Sequence, residues 1–172
     1  MSVALRLLII AFLAALLWPK LAAYRAEWML AQANTRLDRV LRGVDQGTSG
    51  MKAVEEAALL AHQSALLLPS DPRPALLEGI ALILHGEGAT AIAVLDDAIA
   101  KGERPELTLN LGRARTIVGD TSGANAAYLR TAWASPAALA TLPKAMRETL
   151  QAEVLQLEIA LRAGQLYAPP PL

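Results

Sequence analysis

Between Pro72 and Pro136 apolar residues recur every three to four positions, and the pattern is written twice. Leu76, Leu77, Ile80, Ile83 and Leu84 predict one helix, and Leu109, Leu111, Ile117 and Val118 predict its counterpart. A second helix follows each. Ala91, Ala93, Val94, Ala98 and Ile99 mark the first of these, and Ala124, Ala127, Tyr128, Ala132 and Trp133 mark the other. Placing Gly79 over Gly112 brings Pro72 over Pro105, Leu76 over Leu109, Ala81 over Ala114, Gly86 over Gly119 and Ala91 over Ala124. Repeats of thirty-odd residues are the mark of stacked helical hairpins.

The punctuation agrees with that reading. Pro72 and Pro105 suit the first turn of a helix, where the missing N–H would have no partner anyway. Asp71 is a capping carboxylate ahead of Pro72. Gly86 and Gly119 stand where a left-handed residue ends a helix. Gly79 and Gly112 fall mid-helix, where glycine costs about 1 kcal/mol against alanine. Close approach of the partner helix, through small residues facing each glycine, is expected to offset that cost.

Glycine, alanine, a large residue, a small residue and proline thus recur at fixed spacings: Gly112, Ala124, Tyr128, Thr131 and Pro136 in the later unit. The earlier unit carries Gly79, Ala91, Leu95 and Ala98, with Glu103 in place of the closing proline. This pattern resembles the tetratricopeptide repeat (TPR) family, although Ala75 and Thr108 stand where that family usually carries an early tryptophan. The resemblance implies that the first helix of each hairpin lines a concave groove that grips extended or helical peptides. By position the groove residues are Arg73, Leu76, Leu77, Ile80, Ile83 and Leu84, then Glu106, Leu109, Asn110, Arg113, Thr116 and Ile117. Asn110 with Arg113 resembles part of a clamp for a peptide carboxylate, although the earlier unit lacks the companion lysines and asparagine. The apolar groove of the earlier unit is to be buried either by a partner helix or by another part of this chain.

The flanks extend the pattern. Residues 20–42 read as one long helix, Gly43–Gly50 as a flexible loop, and Met51–Leu68 as a helix. Ala57, Ala61, Ser64 and Pro69 match the second helix of a TPR unit, so 25–70 reads as a divergent first hairpin before the repeats 72–104 and 105–136. After Leu142-Pro143 a capping helix over 143–163 carries Leu150, Val154, Leu157, Ala160 and Leu161 on its apolar stripe. Gly164 ends it, and 164–172 reads as a proline-rich flexible tail. The expected fold is all-α: a short right-handed solenoid of TPR-like hairpins, with an N-terminal transmembrane helix and a C-terminal capping helix.

Residues 1–24 are membrane-directed. Leu7–Trp18 is an unbroken apolar run between Arg6 and Pro19-Lys20. A retained anchor over Val3–Tyr24 has the length to span the hydrocarbon, with Trp18 and Tyr24 at interfacial positions. A cleaved signal peptide also fits the apolar core, though Leu21-Ala22-Ala23 is a poor cleavage motif. The anchor reading implies a single pass through a bacterial-type inner membrane with the domain in the periplasm. The cleaved reading implies a secreted periplasmic module holding a hydrophobic peptide or ligand in its groove.

Composition narrows the chemistry. The 172 residues carry 16 basic and 16 acidic side chains, a balance unlike that of a nucleic-acid binder. Cysteine is absent, which excludes disulfides, thiolate metal sites and thiol catalysis. His62 and His85 have no neighbours in sequence that complete a metal or nucleophile motif. The adjacent pairs Glu55-Glu56 and Asp96-Asp97 point different ways around their helices, and Arg36, Arg39 and Arg42 read as a solvated basic stripe. No enzyme, cofactor or metal site is expected. The expected role is a scaffold or accessory subunit binding protein partners of a membrane complex, with residues 3–24 in the lipid bilayer.

Overall fold

The computed structural model describes residues 3–166 and 168–172; for residues 3–4, 6–11, 13–14 and 16–19 it describes the backbone alone. The described chain is helical throughout, with no strand. Helix α1 spans Val3–Leu41, α2 Gly47–Leu67, α3 Pro72–His85, α4 Gly88–Lys101, α5 Pro105–Ile117 and α6 Thr121–Ala134. A 3-10 segment over Pro136–Thr141 leads into α7, Lys144–Arg162.

The helices pair in chain order: α1 with α2, α3 with α4, and α5 with α6, each pair packing on the next through α2–α3 and α4–α5 contacts. The first helices also meet in succession, α1 with α3 and α3 with α5. Contacts within the third hairpin show its antiparallel sense. Thr108, near the start of α5, meets Thr131, near the end of α6, while Thr116, near the end of α5, meets Tyr128.

The two repeat units use the same parts. A Cβ placed on Gly79 would lie 2.8 Å from Leu95 Cδ2, and one on Gly112 would lie 2.6 Å from Tyr128 Cδ1. Each glycine is a notch filled by the residue sixteen positions later. The sequence pattern suggested small residues opposite these glycines, but the facing side chains are large. Bare backbone makes room for a fully buried leucine or tyrosine, and the smaller Ala91 and Ala124 sit one turn earlier on the second helices. Gly86 and Gly119 have φ of 84° and 81°, the left-handed region in which glycine carries no Cβ penalty. They close their helices alike, the N–H of Glu87 donating to Leu82 and that of Asp120 to Arg115, at 2.9 and 3.0 Å. Asp120 adds a cap, its carboxylate accepting from the Gly123 N–H at 2.9 Å. Pro136 opens the 3-10 segment and is exposed.

The divergent first hairpin shares this closure. Gly43 has φ 71° and the Val44 N–H donates to Arg39 O at 2.8 Å. The expected loop over Gly43–Gly50 is shorter than its composition suggested, because α2 begins at Gly47. Its turn is pinned: Gln46 Nε2 donates to Gly43 O at 2.7 Å, Arg39 pairs with Asp45 at 2.9 Å, and Ser49 Oγ donates to Gln46 O. The basic stripe is neutralised within the chain by Arg36–Glu56, Arg39–Asp45 and Arg42–Asp38 pairs. Surface pairs of this kind contribute about 0–1 kcal/mol each.

The segments expected at 3–24 and 20–42 form one continuous helix, whose 39 residues run through Pro19. The side chains of most of the expected anchor, residues 3–19, lie outside the described residues. Among those described, no helix is long and apolar enough to cross a membrane.

Three apolar clusters form the interior. One joins Ala33 and Leu37 of α1 to Val54, Ala57 and Ala61 of α2 and Ala81 of α3. The middle one joins Ala91, Leu95 and Ala98 to Leu107, Leu111, Ala114 and Ala127. The last places Leu109, Ala124, Tyr128 and Ala132 under Leu139, Leu142 and Leu150. Leu150 is buried in that core and Val154 and Leu157 pack against it half-buried, whereas Leu161, expected on the same stripe, is exposed together with Leu155 and Ile159. At the proline-rich end Arg130 donates to the Pro170 carbonyl while its other nitrogens hold Glu103.

Candidate partner-binding face

The face begins at the Asp71 cap. The Asp71 carboxylate accepts from the Arg73 backbone N–H at 2.9 Å and from the Arg73 guanidinium at 2.9 and 2.6 Å. Hydrogen bonds from the Arg73 side chain hold this carboxyl below its usual range, and burial only partly opposes them. Asp71, then Glu27, stabilises the charged guanidinium in turn. Because Arg73 also reaches Glu27 of α1, it ties the first helices of two successive hairpins together. Glu103, held by Arg130 hydrogen bonds, is likewise lowered.

The sign of the pH effect follows. A carboxyl whose folded value is depressed adds stability above its unfolded value, about 3.9 for Asp and 4.3 for Glu. That stability is lost as pH falls through the folded value. Melting temperature followed downward from pH 6 is therefore expected to drop from about pH 4, where unfolded carboxyls begin to protonate. In an Asp71→Asn, Glu103→Gln double variant this acid limb should be shallower. A limb identical to the parent's would refute the role given to these two carboxylates.

The apolar residues of α3 are divided between two cores. Leu76 and Ile83 pack toward the middle cluster, whereas Leu77, Ile80 and Leu84 pack toward the cluster of α1 and α2. All five are half-buried. Other parts of the same chain therefore cover much of the surface of these five side chains.

The third hairpin differs. Leu109 is buried beneath the 3-10 segment and α7. Asn110 is only 4% exposed; its amide donates to Glu106 O at 2.8 Å and its carbonyl accepts from Arg113 at 3.1 Å. Arg113 also donates to Thr141 Oγ1 at 2.9 Å, so the Asn110–Arg113 pair is engaged within the chain. The arrangement brings Arg113 to the 3-10 segment rather than to Arg73. Thr116 donates to Gly112 O, while Glu106 and Ile117 are exposed.

On the other side of α3 lies a cleft of about 550 Å³ between α2, α3 and α4. Its charged lining is mostly paired, with His62 Nδ1 3.1 Å from Glu78 Oε1 and Lys101 on Asp97. Arg104, at its mouth, makes no salt bridge among the described residues, but its charge helps Arg73 hold the Asp71 carboxyl low. His62 and Asp97 are both well exposed, and they line one cleft only because α2 and α4 each pack on α3. His85 meets Glu87 at 3.0 Å and Glu55 at 3.7 Å. Among the described residues no three acids or histidines are placed to hold a metal ion. Compared with protein-family models, with curated proteins and with solved structures, the chain matches none.

Proposed function

We propose that this protein is a non-catalytic scaffold or accessory subunit. Its TPR-like hairpins would hold partner proteins of a multi-subunit membrane complex, with residues 3–24 as the tether. The observation that carries the reading is the duplicated packing, Gly79 on Leu95 and Gly112 on Tyr128, with identical closures at Gly86 and Gly119. Hairpins that contact mainly their chain neighbours build an extended face, the usual platform for protein partners. In this proposal the hairpins form a short right-handed solenoid, and the face runs from Arg73 past Leu77 and Ile80 to Arg113 and Ile117. The tether rests on sequence: the Leu7–Trp18 apolar run between Arg6 and Lys20, with the domain on the periplasmic side.

The test uses the full chain in its own membranes, with a photo-crosslinking residue at Ile80 or Ile117 and, as control, at Asp96 on the outer side of α4. Discrete protein adducts from 80 and 117, absent from 96 and matched by stoichiometric co-purification, are expected. Equal labelling from all three positions, or none, would overturn the assignment of this face.

A further inference from the structure

The hairpin stack has two ends, and the tether enters at one of them. The Arg36–Glu56 pair sets the register of α1 against α2, which puts Leu66 and Leu67 level with Arg25 and Ala26. His62–Glu78 and Glu55–His85 set α2 against α3 and bring Leu67 level with Arg73. Gly79 against Leu95 then places Arg73 level with Lys101. One end therefore gathers the close of α2 and α4, the start of α3 and α5, and the point where α1 arrives from residues 3–19.

At this level α1 is two-sided. Ala26, Met29 and Leu30 are buried, whereas Leu21, Tyr24 and Trp28, spaced three and four apart, are 65%, 74% and 54% exposed. Leu66, on α2 at the same level, is 74% exposed. Among the described residues Lys20 and Arg25 have no ion-pair partner, Arg104 makes no salt bridge although its charge helps Arg73 hold the Asp71 carboxyl low, and Glu106 makes none at the same end. Aromatic rings with exposed leucines and free cations are the groups that suit a headgroup layer. The opposite end exposes Leu41, Val44 and Val118, so apolar exposure alone does not choose between them. The path of the chain does: that end lies the length of α3, fourteen residues or about 21 Å, farther from the tether.

We propose that this end of the stack lies on the bilayer surface. Tyr24, Trp28 and Leu66 enter the headgroup layer, Lys20, Arg25 and Arg104 lie on lipid phosphates, and the Gly43, Gly86 and Gly119 turns point into water. The placement rests on reading residues 3–24 as the tether. It implies that the first-helix face stands across the membrane surface, open from the side to a partner that is itself membrane-bound.

The chain has no cysteine, so single labels can be introduced cleanly. Nitroxides at Leu66→Cys and Arg104→Cys report the near end, and at Val44→Cys and Ser122→Cys the far end. The full chain is reconstituted in vesicles of phosphatidylcholine and phosphatidylglycerol, and collision with a water-soluble nickel chelate is compared with collision with oxygen. Near-end labels several-fold better protected from the chelate than far-end labels are expected. Vesicle-bound chain with all four labels equally open to the chelate, or with the far pair protected instead, would overturn the placement and leave the tether standing. Chain that does not associate with vesicles at all would overturn the tether and the placement with it.

Discussion

Gly112→Leu is expected to destabilise the third hairpin by about 3 kcal/mol or more, beyond the usual range for overpacking, because the added group meets an aromatic ring. A Cβ at this position would already lie 2.6 Å from Tyr128 Cδ1 and 2.9 Å from Cζ. The ring has little room to yield: Tyr128 is 1% exposed, and its hydroxyl is 3.1 Å from Thr116 Oγ1. Better helix propensity returns only about 1 kcal/mol. Urea unfolding measures the difference, and an unchanged midpoint would refute the placement of Tyr128 over Gly112. Gly79→Leu makes the equivalent intrusion on Leu95, whose side chain is flexible but fully buried, so a loss of the same sign is expected there.

Leu111→Ala is expected to cost about 2–5 kcal/mol, the range for emptying a core leucine site. Leu111 is fully buried in the cluster that joins α4 to α5 and also takes in Leu76 and Ile83 of α3. The cavity therefore opens at the joint between the second and third hairpins rather than inside one of them. In a serial stack, stability is approximately the sum of unit and interface contributions. Amide exchange should show the loss first in α5 and α6, with α1 and α2 keeping more of their protection. Uniform loss across all helices would mean that the chain unfolds as a single unit.

The helix ends were legible in the sequence because glycine and proline act through the backbone, which reads the same in any context. Pro72, Pro105, Gly86 and Gly119 mark helix ends by their own conformational limits, and the structure uses them so. What faces a mid-helix glycine is a tertiary matter. Only the antiparallel register reveals that Leu95 and Tyr128, rather than the alanines, fill the notches. The Gly43–Gly50 stretch read as loose from its composition, but side chains such as Gln46 and Arg39 turn part of it into a defined closure. The candidate face was legible as a set of positions on α3 and α5. Its occupancy was not, since the sharing of α3's leucines and isoleucines between two cores depends on where α1 and α4 lie. The Asn110–Arg113 pair shows the same limit: spacing suggested groups open to a ligand, and the 3-10 segment supplies Thr141 to one of them. The cleft between α2 and α4 left no trace in local pattern, because its walls come from hairpins that meet only after stacking.

The most direct test of the scaffold reading is the intact mass of the protein purified from membranes in mild detergent, together with whatever accompanies it. A full-length chain with a fixed set of stoichiometric protein companions is the predicted result. A chain lacking its first two dozen residues, recovered alone from the aqueous fraction, would contradict both the tether and the scaffold role.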